Sequence, residues 1–191
     1  MGKVVVVENV TLDGVMQAPA AADEDTRGGF TRGGWAVPYM DRVMAETMGK
    51  GMRGDGSLLL GRRTYAHFHG VWADRTDGNP YTEVLNRRQK YVASRTLAEP
   101  LPWQNSTLLR GDVSAAVAAL KKEGDLVVLG SGVLVRSLLE AGLVDVLTLS
   151  IHPLTVGQGT TLFAAKPTTM ELVEAIPTTT GVLIATYRTT A

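Results

Sequence analysis

Short unbroken apolar runs divide the chain. Val4 to Val7 and Leu126 to Leu129 are each four apolar residues with no polar interruption. Such runs read as strands buried on both faces, as in a parallel sheet. Lys3 to Glu8 is therefore read as a first, central strand. Ser57 to Leu60, Gln89 to Ser94, Ser106 to Leu109 and Val144 to Ile151 are read as further strands. Helical patterns lie between them. Pro38 to Lys50 places Val43, Met44 and Thr47-Met48 on one side, with Pro38 suited to a first helical turn and Gly49 or Gly51 to a stop. Asp112 is read as the cap of a helix with Val113, Ala116, Val117 and Leu120 inward and Gly124 as its stop. After Gly130-Ser131-Gly132, the residues Val135, Leu138 and Leu139 recur at helical spacing, with Ser131 as N-cap and Gly142 as stop. Met170 to Ala175 and Gly181 to Arg188 are rich in Val, Ile, Thr and Tyr and read as two last strands joined as an antiparallel hairpin.

The alternation of strand and helix, closed by antiparallel strands, predicts a single α/β domain over residues 1–191 with a mostly parallel sheet. Met16 to Gly34 is loop-like, with Pro19, four glycines and the acidic run Asp23-Glu24-Asp25. A loop this long is usually functional or mobile. Its two Arg-Gly-Gly copies faintly suggest RNA-binding repeats, but a lid or pocket rim fits a neutral protein better. Asp74 to Pro80 reads as a surface loop and His152 to Gly159 as a glycine-bearing one.

Composition narrows the classes. Lys+Arg and Asp+Glu balance at 19 each, which argues against a nucleic-acid or membrane-surface protein. Without cysteine there is no disulfide, thiolate zinc site or cysteine nucleophile. The N-terminal apolar run is too short for a signal peptide or membrane span, so the cytoplasm is the expected location. His67 and His69 are two apart and point apart on a helix, which disfavours a metal site.

Chemistry gathers where strands end. The unit Leu126 to Leu139 combines a strand, a glycine turn and a helix N-terminus, the parts of an anion site. Alone it is also compatible with a tight turn that binds nothing. It lacks the third glycine and the later acidic residue of the Rossmann fingerprint. Gly61-Arg62-Arg63-Thr64 opens a helix with two guanidinium groups and a hydroxyl, suited to holding a phosphate bidentately. Ser94-Arg95-Thr96 ends a third strand with two hydroxyls and a guanidinium. Asp13 follows the first strand, at the edge where open α/β sheets bind ligands. It is read either as an acid in the site or as an ordinary Asp-Gly turn.

In order and spacing these motifs resemble the dihydrofolate reductase-like superfamily. The nearest branch is that of the reductase (C-terminal) domain of the bacterial riboflavin-biosynthesis protein. The features that carry the resemblance are Thr11-Leu12-Asp13-Gly14, Leu60 to Tyr65, Tyr91 to Leu97, Gly130-Ser131-Gly132 with Leu143-Val144-Asp145, and Pro153 to Phe163. They span nearly the whole chain. The resemblance implies a three-layer α/β/α sandwich, mostly parallel with antiparallel C-terminal strands, that binds NADPH. By carry-over, Arg62 and Ser94-Arg95 face the adenosine 2′-phosphate, with Arg63 and Thr96 beside them. Thr64, Gly130, Ser131, Gly132, Val133 and Leu134 hold the pyrophosphate. The implied substrate pocket lies between the first strand's end, the long loop and the next helix. Asp13, Trp35 and Tyr39 are its candidate lining, with Met44 and Met48 equally readable as core. Dihydrofolate reductases proper carry a carboxylate on that helix; Asp41 and Glu46 stand there, and which of Asp13, Asp41 and Glu46 would donate the proton stays open.

The leading expectation is an NADPH-dependent reductase of a small heterocycle, a pterin or a ribosylaminopyrimidine, with Asp13 as its catalytic acid. The alternatives are an NADP(H)-binding protein with little catalysis, acting as a sensor or resistance factor, and a structural domain without ligand. A homodimer is expected, because the late β-branched strands leave an edge to cover.

Overall fold

The computed structural model describes residues 1–51, 54–163 and 167–190. The apolar runs become one sheet. Its strands are β1 (Val4–Thr11), β2 (Ser57–Gly61), β3 (Lys90–Ala93), β4 (Ser106–Leu109), β5 (Leu126–Leu129), β6 (Val146–His152), β7 (Met170–Pro177) and β8 (Leu183–Thr189). They lie side by side in the order β4-β3-β2-β5-β1-β6-β8-β7. The pairings from β4 across to β6 are all parallel. β8 runs antiparallel to both β6 and β7. The sheet is thus mostly parallel with an antiparallel C-terminal end, as the sequence predicts.

The helices among the described residues are α1 (Arg42–Gly51), α2 (Arg62–Trp72), α3 (Pro80–Arg87), α4 (Val113–Glu123) and α5 (Gly132–Glu140). None is long and apolar enough to cross a membrane. The chain moves outward from β1 to β2, β3 and β4, then turns back to β5 and on to β6. Right-handed crossovers made in opposite directions place their helices on opposite faces. Two cores follow. Val4, Val6 and Val10 of β1 pack with Val117 of α4 and with Val135 and Leu138 of α5. On the other face Leu58 and Leu60 of β2 pack with Tyr65 of α2 and Leu85 of α3.

β1 and β5 are neighbours, yet the chain leaves them towards opposite faces. Such a switch point, at the C-terminal ends of the strands, is where open α/β sheets bind ligands.

Three local expectations are corrected. The helix expected over 38–50 is split. Pro38 lies in a separate 3-10 turn, Val37–Tyr39, and Met40 is extended. α1 then starts under Asp41, whose carboxylate accepts the Met44 amide at 2.8 Å. α3 has no counterpart in the sequence reading, although Asn79 caps it by accepting the Tyr81 amide and Pro80 holds its first turn. Ser131 occupies the N-cap position of α5 but does not cap it. Its φ of 70° is left-handed, and its hydroxyl makes no bond to the helix.

Candidate active site

β2, β3 and β5 are consecutive in the sheet, and their C-terminal turns share one edge. After β2, Arg62 and Arg63 are exposed on the first turn of α2, and Thr64 is half-buried. After β3, the Ser94 hydroxyl oxygen accepts the amides of Thr96 at 3.1 Å and Leu97 at 3.0 Å. That turn leaves Arg95 and Thr96 exposed. After β5, Gly130 adopts a φ of 63°, which glycine tolerates at no steric cost. A Cβ there would meet the Thr64 side chain at 3.6 Å. The Ser131 hydroxyl oxygen accepts the Gly61 amide at 2.8 Å and so joins two of the three turns. The first bond of α5 runs from the Val135 amide to the Ser131 carbonyl. The amides of Gly132, Val133 and Leu134 therefore have no intrahelical acceptor and carry the positive end of the helix. The donor set is cationic forks, hydroxyls and free amides around a glycine turn, which fits a nucleotide phosphate.

An aromatic group stands at the C-terminal end of β6, on the other side of β1. Trp35 is buried, and its indole N–H donates to the Gln17 carbonyl at 2.7 Å. Gln17 also orders the long loop, donating to the carbonyls of Asp25 and Arg27 and accepting the Thr160 amide. Trp35 and Tyr39 stand edge-on to His152, with ring centroids 5.2 and 5.6 Å away. His152 ends β6 beside Thr11 of β1 and is fully buried. Its Nε2 donates to the Asn9 amide oxygen at 3.1 Å, and among the described residues its Nδ1 meets no partner. Burial pushes its pKa down to about 4, so the ring is neutral.

The candidate carboxylates are engaged elsewhere. Asp13 is exposed and accepts from the Thr11 hydroxyl and from the amides of Val156 and Gly157. Those donors, the Thr11 hydroxyl first, hold its pKa below 3.8. Besides capping α1, Asp41 accepts from the Thr179 hydroxyl and amide at 2.6 Å, tying that helix to the β7–β8 turn. Those bonds lower its pKa strongly. Glu46 pairs with Arg42 one turn away. Met44 packs into the core with Val182 and Ile184, and Met48 is partly exposed.

Two buried polar groups at this edge escaped the sequence reading, His152 and Glu8. Glu8 shares the inward parity of Val4, Val6 and Val10, and only 5% of it is exposed. Burial, with Glu24 adding to it, pushes its pKa up to about 8. The available signal was a carboxylate at an alternating core position inside an apolar strand.

Fold and edge together define a dihydrofolate reductase-like α/β protein. The chain belongs to the family of the RibD C-terminal domain, whose model matches residues 2–184. Among solved structures it is similar to a protein of Shewanella sp. PV-4 assigned to riboflavin biosynthesis. That pair has a TM-score of 0.71 at 21% identity, with both chains fully covered. It is similar to the dihydrofolate reductase of Enterococcus faecalis solved with NADP(H), with a TM-score of 0.63, 18% identity, and 100% and 98% of the two chains covered. It also resembles RibD of Acinetobacter baumannii at 0.68 and 16%, covering all of this chain and 59% of that one. A search of curated proteins finds no match.

Proposed function

We propose that the chain is an NADPH-dependent reductase of a small, flat heterocycle, of the pterin or ribosylaminopyrimidine kind. One observation carries this reading. Three phosphate-suited turns from distant parts of the sequence sit on three consecutive strand ends. Family membership and the NADP(H)-bound dihydrofolate reductase support it. Arg62, Arg63, Ser94, Arg95 and Thr96 would hold the 2′-phosphate. Thr64, the Gly130–Gly132 turn and the amides of Val133 and Leu134 would hold the pyrophosphate. When bound, NADPH supplies a hydride. Trp35, Tyr39 and the neutral His152 would form the wall against a flat ring, and Asp13 would fix the adjoining loop or meet a substrate amino group. The exposed edge strand β7, with Leu172 and Val173 outward, supports a homodimer, which light scattering over a range of concentrations tests.

A second reading, NADP(H) binding with little or no catalysis, is favoured by one observation: Asp13, Asp41 and Glu46 are all hydrogen-bonded to other parts of the protein.

Calorimetric titration tests the cofactor. NADPH binds more tightly than NADH, and Arg62→Ala and Arg95→Ala each shrink that gap by roughly tenfold to a hundredfold. Equal binding of both nucleotides by the parent chain overturns the reading. Stoichiometric NADPH oxidation, screened against dihydrofolate, pterins and ribosylaminopyrimidines, separates enzyme from binder.

A further inference from the structure

Glu8 lies on β1 one residue beyond the last pairing with β5, Val7 with Leu129, where the chain diverges to the two faces of the sheet. Its carboxyl oxygens lie under the glycine turn. Oε2 is 3.7 Å from where a Gly130 Cβ would be, and Oε1 is 3.7 Å from the same point at Gly132, against which the uncharged Met16 thioether packs more closely still. The residue is only 5% exposed, and among the described residues nothing donates a hydrogen bond to its carboxyl. It points at the end of α5 whose first amides are free.

No cation faces it. Glu24, from the long loop, adds negative charge. The first turn of α5 is Gly132-Val133-Leu134-Val135, and Arg136 donates to the carbonyls of Thr161 and Leu162. Opposite on β6 is Leu149, and from α2 the nearest group at the turn is the neutral Thr64. Arg63 acts on Asp25, and Asp13 turns to the 156–157 amides. The dipole of α5 alone favours an anion, but no α5 amide donates to Glu8, so burial prevails.

An ionised Glu8 would repel a phosphate on this turn, whereas the acid form offers it an O–H donor. We infer that Glu8 is a binding residue that works as a carboxylic acid, donating its proton in a hydrogen bond to an oxygen of the nucleotide held on the Gly130–Gly132 turn. Nucleotide binding then takes up a proton whenever Glu8 is ionised beforehand. This inference rests on the NADPH reading above.

The experiment is calorimetric titration of the full chain with NADPH from pH 7 to pH 9.5, in two buffers of different ionisation enthalpy. The parent and Glu8→Gln, which keeps a donor and cannot ionise, are compared. The second ionisation of the 2′-phosphate, near pH 6, lies below this range. The parent is expected to lose up to about tenfold in affinity per pH unit above pH 8 and to take up a proton on binding. Glu8→Gln should bind with nearly constant affinity. Binding by the parent without pH dependence or proton uptake overturns the inference and leaves the cofactor reading intact. A Glu8→Gln protein that copies the parent's pH profile also overturns it. If Glu8→Gln does not fold, proton uptake by the parent alone decides. Absence of NADPH binding by the parent at every pH overturns both.

Discussion

The Ser131 hydroxyl oxygen accepts the Gly61 amide at 2.8 Å across 70 residues of sequence. The bond locks the turn after β5 to the turn after β2 and draws both helix N-termini to one point. Ser131 itself has a left-handed backbone, with φ of 70°. Ser131→Ala keeps that strain and strands the Gly61 amide. It should cost about 1–2 kcal/mol in denaturant unfolding. Ser131→Gly relieves the backbone and should lose less stability, while both variants weaken NADPH binding. Equal unfolding midpoints for all three proteins would show the bond to be incidental.

Asp13 joins the end of β1 to the 153–157 loop through its carboxylate. Its pKa lies below the ordinary 3.8, so its contribution is present above that value and is lost as the pH falls through the lowered one. Asp13→Asn should melt earlier than the parent at pH 7, and the two should converge in strong acid. Turnover on the true substrate should fall more than NADPH affinity. Identical melting at pH 7 would remove the anchoring role, and identical turnover would remove Asp13 from the site.

Glu8 gives the opposite pH dependence. Its folded pKa of about 8 exceeds the ordinary 4.5, so between these values the folded state holds the extra proton. Stability therefore falls as the pH rises from 4.5 to 8 and then levels off, with a ceiling on the order of 4 kcal/mol. Glu8→Gln should flatten that slope and exceed the parent in melting temperature at pH 8.5. A parent whose stability does not decline over this range would place Glu8 in a more polar setting.

Lys90 is fully buried, and its ammonium donates to the carbonyls of Leu85, Asn86 and Arg88 at 2.8, 3.2 and 2.7 Å. It lies 4.6 Å from the centre of the Trp103 ring. A cation at the C-terminal end of α3 satisfies carbonyls that the helix leaves open. Lys90→Met fills the space but leaves those acceptors unmet, and should cost about 2–4 kcal/mol in denaturant unfolding. A loss below about 0.5 kcal/mol would mean that water replaces the ammonium.

Local pattern determined most of the elements. The run Leu126 to Leu129 is a strand because no polar residue interrupts it, and the glycine turn and α5 follow it, although Ser131 does not cap the helix as expected. Asp112 caps α4 because its carboxylate needs only the Ala115 amide three residues on. These outcomes depend on neighbours in sequence, so sequence suffices. The motifs Gly61 to Thr64, Ser94 to Thr96 and Gly130 to Gly132 were also legible, but their adjacency comes from the return of β5 between β2 and β1.

The tertiary structure alone decided the state of each acid. Asp13, Asp41 and Glu8 are similar carboxyls in the sequence. Asp13 meets amides 143 residues away and is held ionised. Asp41 meets a threonine 138 residues away and is held likewise. Among the described residues Glu8 meets no donor, and burial with the nearby Glu24 raises its pKa to about 8. A carboxyl's charge depends on the donors and solvent within a few ångströms, and in a parallel sheet those neighbours come from distant strands.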